Sequence, residues 1–92
     1  MRIVVSYDIS DDKRRRKVAK IMEGYGYRVQ YSVFECDLEP KKLVELMRRL
    51  SPLVKEKEWE SIRFYPLLAD SAERAHVLGK DLRKVLGTIE IV

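Results

Sequence analysis

The chain has 92 residues, 46% hydrophobic and 37% charged, with 19 Lys and Arg against 15 Asp and Glu for a net charge of +4. That length makes one small domain, which buries only about two-thirds of its unfolded surface and gains from pairing with a second copy. A single cysteine excludes an internal disulfide and a cysteine-rich zinc site, no apolar run approaches the roughly 20 residues of a membrane helix, and the basic balance suits a nucleic-acid partner.

Residues 1–8 read as a strand, since Ile3, Val4 and Val5 are β-branched and no turn residue interrupts them. Alternation puts Ile3, Val5 and Tyr7 on one face and Val4, Ser6 and Asp8 on the other. The apolar run is too short for a secretory signal, and a free thiol suits a reducing compartment, so a cytoplasmic protein with no membrane association is expected. Ser10 is a good cap for a following helix, with Asp11 and Asp12 where carboxylates suit the helix dipole. Val18, Ile21, Met22 and Tyr25 follow at helical spacing, and Gly24 and Gly26 close the segment. Lys13 to Lys17 is an unbroken basic run. Carrying the apolar stripe backwards reaches Arg15 and Arg14, at least one of which must point toward the sheet near Asp8. Cations this early oppose the helix dipole, so they serve something other than helix stability.

A second strand is expected over Tyr27 to Cys36, with Tyr27, Val29, Tyr31 and Val33 facing helices and Arg28, Gln30, Ser32 and Phe34 on a mixed face. Pro40 starts a second helix at its tolerated first position, Leu38 and Leu43 can staple that start, and Leu43, Leu46, Met47 and Leu50 supply its apolar stripe. Ser51-Pro52 ends it, and Lys55 to Glu60 alternates in charge like a mobile connection. Ser61 to Leu68 reads as a third strand with Pro66 at an edge or end. In the tail, a helical turn near Asp70 to Ala75, a short strand over His76 to Leu78, a turn through Leu82, Val85 and Leu86, and a strand over Thr88 to Val92 are expected. The pattern is α+β: a ferredoxin-like split βαβ sandwich, an antiparallel sheet with two helices on one face. One domain is expected over 1–92, with a core over 1–79 and a C-terminal segment over 80–92.

Tyr7-Asp8, the basic helix from Lys13 to Lys20, and Gly26-Tyr-Arg-Val-Gln-Tyr-Ser-Val-Phe-Glu35 together resemble the CRISPR-associated protein two family, the small nuclease-like subunit of the spacer-acquisition machinery. The similarity is dense over Met1 to Asp37; beyond Pro40 it rests on pattern and length. The resemblance implies a homodimer whose sheet faces meet and whose last strand, here Thr88 to Val92, extends the partner's sheet. It implies a metal-dependent nuclease on RNA or DNA in which Asp8 is the catalytic, Mg²⁺-binding acid. It also implies a DNA-binding scaffold that bridges copies of the spacer integrase.

A lone Asp gives Mg²⁺ only a minimal ligand set, since the ion takes one or two carboxylates with several waters and substrate phosphate. No second acid of the chain has a clear claim on the same site. Asp11 and Asp12 belong to the helix start and Glu35 ends a different strand, so a two-fold axis is needed to set Asp8 opposite its own copy. Arg14, Arg15 or Arg28 could then hold phosphate oxygens, and Ser32 could orient a metal water. Plainer readings stand beside these. An Asp after a strand is also a helix-entry residue, and a basic run is also a solvated helix face. Tyr7 and Phe34 suit packing better than base stacking, Arg28 could pair with Glu35 or a partner's acid, His76 sits in a variable tail, and Cys36 suits a small buried hydrophobe. A non-catalytic dimeric scaffold for duplex DNA is the alternative function. A small-molecule regulatory domain lacks a glycine-rich ligand loop here, and an RNA-recognition module lacks paired exposed aromatics on central strands.

Overall fold

The computed structural model describes residues 1–80, the side chain of Ala72 excepted. Strand β1 (Arg2–Asp8) is followed by helix α1 (Asp12–Glu23), strands β2 (Gly26–Gln30) and β3 (Val33–Asp37), helix α2 (Pro40–Leu50), two 3₁₀ turns (Ser51–Leu53 and Glu56–Glu58), strand β4 (Ser61–Leu67) and a short helix α3 (Ala69–Glu73). The sheet order is β2-β3-β1-β4, and β1 runs antiparallel to both of its neighbours, as β2 does to β3. This is the ferredoxin-like α+β architecture.

The expected long strand is a hairpin. Tyr31 and Ser32 form its turn, and Arg28 stands opposite Phe34 while Gln30 stands opposite Val33, which leaves Val29 as the extra residue of a bulge. The turn reverses the assignment of faces in β3: Phe34 and Cys36 are buried, whereas Val33 is only half-buried. Gly26 does not close α1 but opens β2, where a Cβ would lie 2.2 Å from the Glu35 carbonyl oxygen and 2.6 Å from Cys36 Sγ. Only glycine permits that approach.

Ile3, Val5 and Tyr7 of β1 are buried as alternation requires, and they join Phe34 and Cys36 under Val18 and Met22 of α1 and Leu46 and Leu50 of α2. Met47, expected in the same stripe, is instead 40% exposed. Burial pushes the Cys36 thiol up to about 11, so it behaves as a small apolar side chain. The opposite face carries Val4, Ser6 and Asp8 together with their cross-strand neighbours Tyr65, Arg63 and Ser61, and neither long helix packs on it. Arg2 joins that face as well, donating to the Tyr27 hydroxyl at 3.0 Å and pairing with Glu35 at 3.5 Å.

Three further expectations need correction. The cap of α1 is Asp11, whose carboxylate accepts from the Arg14 N–H at 2.8 Å, because Ser10 is engaged elsewhere. Lys55 to Glu60 is no loose connection, since it forms a 3₁₀ turn and ends on a buried carboxylate. His76 to Leu78 forms no strand. The turn through Leu82 to Leu86 and the strand over Thr88 to Val92 lie outside the described residues.

Candidate functional site at the end of β1

Asp8 is the last residue of β1, exposed, and opposite Ser61 in the β1–β4 ladder. Among the described residues its carboxylate makes no hydrogen bond or ion pair, whereas every nearby acid is already engaged. Asp11 caps α1, and the backbone N–H of Arg14 holds its carboxyl below the usual range. Asp12 pairs with Arg15, Glu35 with Arg2, and Glu60 with Arg14. No group of three or more potential metal ligands occurs among the described residues. The chain therefore offers one hard, unspent oxygen donor here. That fits Mg²⁺ as a partial ligand set, since this ion accepts one or two carboxylates and fills the remainder with water and phosphate.

The two arginines of the α1 stripe do turn inward, but toward the protein. Arg14 Nη2 donates to Glu60 Oε2 at 2.8 Å and Nη1 to the Leu53 carbonyl at 2.9 Å. Its side chain is 14% exposed and that of Glu60 only 2%. Arg15 Nη1 donates to the Ile9 carbonyl at 2.8 Å, one residue beyond Asp8, and Nη2 to Asp12. Both guanidiniums thus spend donors on the fold, which explains cations placed against the helix dipole.

Arg28, Phe34 and Tyr7 come together, though on the helix-covered side of the sheet. The Arg28 guanidinium lies 5.2 Å from the Phe34 ring centroid and 6.0 Å from that of Tyr31, with Nε buried and unpartnered among the described residues. Tyr7 and Phe34 stack with centroids 6.3 Å apart, and the Tyr7 hydroxyl points to the Tyr31 carbonyl at 3.5 Å. Phe34 is fully buried and Tyr7 4% exposed, so both are packing residues. Ser32 lies in the hairpin turn, where its carbonyl accepts from the Tyr7 N–H at 3.1 Å. Asp8 does not share a sheet face with Tyr7, Phe34 or Arg28.

One cation on the Asp8 face escaped the sequence reading. Arg63 is exposed, stands opposite Ser6, and is a diagonal neighbour of Asp8 in the ladder. The alternation of Ser61, Arg63 and Tyr65 would have revealed it once Ser61 was paired with Asp8. On the other layer, Lys13, Arg16, Lys17 and Lys20 are exposed and have no ion-pair partner among the described residues. With Arg49 of α2 they edge an open groove floored by Ile21, Pro52 and Leu53.

The family model for CRISPR associated protein Cas2 matches residues 1–75. The chain belongs to the Cas2 family. It is 48% identical over 77 residues to the CRISPR-associated endoribonuclease Cas2 3 of Synechocystis sp., covering 84% of this chain and 83% of that one. The crystal structure of Streptococcus pyogenes Cas2 at pH 6.5 superimposes with a TM-score of 0.77 at 42% identity, covering 86% of this chain and all 100% of the other. A chain of a partial Cas6-RT-Cas1–Cas2 complex superimposes with a TM-score of 0.71 at 32% identity, over 84% of this chain and 89% of that chain. Among the described residues no helix of this Cas2 protein is long and apolar enough to cross a membrane.

Proposed function

We propose that this Cas2 protein is a CRISPR-associated endonuclease of spacer acquisition, working on RNA or on duplex DNA, whose ion site is completed by two copies of Asp8 across a homodimer. The observation that carries this reading is the exposed carboxylate of Asp8, unpartnered among the described residues, at a strand end on the sheet face left bare by both long helices. In an isologous dimer that joins such faces, a residue close to the two-fold axis meets its own copy, and on this proposal the axis lies beside the end of β1. Mg²⁺ held there would supply Lewis-acid polarisation of the phosphodiester and a more acidic attacking water.

The chain's own groups have narrower tasks. Asp8 supplies the carboxylate, and Arg63 on the same face meets phosphate oxygens. Arg15 braces the backbone after Asp8 through the Ile9 carbonyl. Arg28 packs against Phe34 and Tyr31 and keeps terminal nitrogens for phosphate at the hairpin, beside Ser32. Asp8→Asn is the test: cleavage of RNA in Mg²⁺ disappears while the circular-dichroism spectrum and the dimer persist. Cleavage at the wild-type rate by the purified variant would sink the assignment.

A second reading, a dimeric scaffold that holds duplex DNA and bridges the spacer integrase, is favoured by the four exposed cations of α1 that have no ion-pair partner among the described residues. The Cas6-RT-Cas1–Cas2 assembly is that neighbour's own, and its likeness to this chain supports an integrase partner here. The two roles are compatible, because Asp8 and the cation row occupy different layers of the domain.

A further inference from the structure

Among the described residues, Glu60 is the charged side chain buried in the domain. Its carboxylate accepts hydrogen bonds from Ser10 N–H at 3.1 Å, Ser10 Oγ at 2.7 Å, Lys55 N–H at 3.0 Å and Arg14 Nη2 at 2.8 Å, and a further one from Arg14 Nη1. Glu60 immediately precedes Ser61, the register partner of Asp8, and Ser10 lies two residues beyond Asp8. One carboxylate therefore ties together the two strands at the last rung of their ladder. Strand ends open readily unless held, and Asp8 is exposed with no described partner of its own. The position of its carboxylate comes from the backbone, and the backbone is held by Glu60.

Stability alone does not account for this cluster. Buried ion pairs can often be replaced by apolar groups of similar volume without loss, because desolvation offsets most of their attraction. A site that must hold a ligand to a fraction of an ångström has a stronger need for a fully bonded support.

We propose that Glu60, with Ser10 and Arg14, is a positioning residue for Asp8, fixing the strand end from which the acid reaches metal and substrate. This rests on Asp8 being the metal-binding acid. The test uses the full-length protein with Mn²⁺ alone as the binding probe, measured by the paramagnetic signal of the free ion. Cleavage is followed separately as kcat and KM. The variants are Ser10→Ala, the apolar pair Arg14→Met with Glu60→Leu, and Asp8→Asn as reference. The apolar pair is expected to melt near the wild type yet to bind Mn²⁺ about tenfold more weakly, with kcat reduced and KM for RNA little changed. Ser10→Ala, which removes one bond and keeps the fold, is expected to weaken Mn²⁺ binding by a smaller factor in the same direction. Wild-type Mn²⁺ affinity and kcat in both folded variants would overturn the proposal and leave the cluster a structural tie. If Asp8→Asn itself binds Mn²⁺ and cleaves like the wild type, the assignment of Asp8 fails and the positioning role falls with it.

Discussion

Arg14 and Glu60, 46 positions apart in the chain, form a two-point ion pair in which Arg14 Nη2 donates to Glu60 Oε2 at 2.8 Å. The Arg14 hydrogen bond first, and then those from Lys55 and Ser10, hold the Glu60 carboxyl well below its ordinary value of 4.5. The folded state therefore binds fewer protons here than the unfolded chain. The resulting stability is fully present above the unfolded value and is lost as pH falls below it toward the folded one. Melting temperatures followed from neutral into acid pH should fall more steeply in the wild type than in the apolar pair Arg14→Met with Glu60→Leu. Parallel curves for the two proteins would refute the linkage.

The cations of α1 divide into two kinds. Arg14 and Arg15 are bonded to the fold, whereas Lys13, Arg16, Lys17 and Lys20 are exposed without a described partner. Changing Lys17 and Lys20 to Ala should leave the melting temperature nearly untouched but weaken duplex binding. The slope of log affinity against log salt should become shallower by about 0.9 for each phosphate that the variant no longer neutralises. Arg14→Ala should do the reverse, lowering the melting temperature because Glu60 is left buried and uncompensated. Fluorescence-anisotropy titrations over a salt series, paired with thermal melts, check both. An unchanged slope in the Lys variants would place the duplex elsewhere.

Gly26 tests the hairpin. An added methyl would press on the Glu35 carbonyl oxygen at 2.2 Å and on Cys36 Sγ at 2.6 Å. Gly26→Ala should destabilise the fold by about 1–3 kcal/mol, the usual range for overpacking. Urea denaturation measures it. Adding Cys36→Ala should recover little, because the carbonyl contact is backbone and stays.

How much of this was legible in the sequence differs from element to element. The faces of β1 were, because three β-branched residues and a strict alternation leave one register that buries Ile3, Val5 and Tyr7. The α+β, ferredoxin-like class and the separation of Asp8 from the capping acids Asp11 and Asp12 followed from similar patterning, although the full strand order did not. The hairpin did not, because Tyr31-Ser32 contains none of the Gly, Asn or Asp that mark a two-residue turn, and the bulge at Val29 blurs the period beyond it. Without the turn, alternation puts Phe34 on the wrong face and sets Arg28 and Ser32 beside Asp8. Glu60 was hidden in an alternating charged stretch, Lys55 to Glu60, that reads as solvent. Its burial depends on Ser10 and Arg14, contacts separated by 50 and 46 residues that no local pattern carries.

The shared site makes a demand that independent sites do not. Mixed dimers that carry one Asp8→Asn chain and one wild-type chain, isolated through two different affinity tags, should cleave RNA in Mg²⁺ no faster than the doubly substituted dimer. Half of the wild-type rate in the mixed dimer would mean that each Asp8 works alone, and would contradict a site built from both.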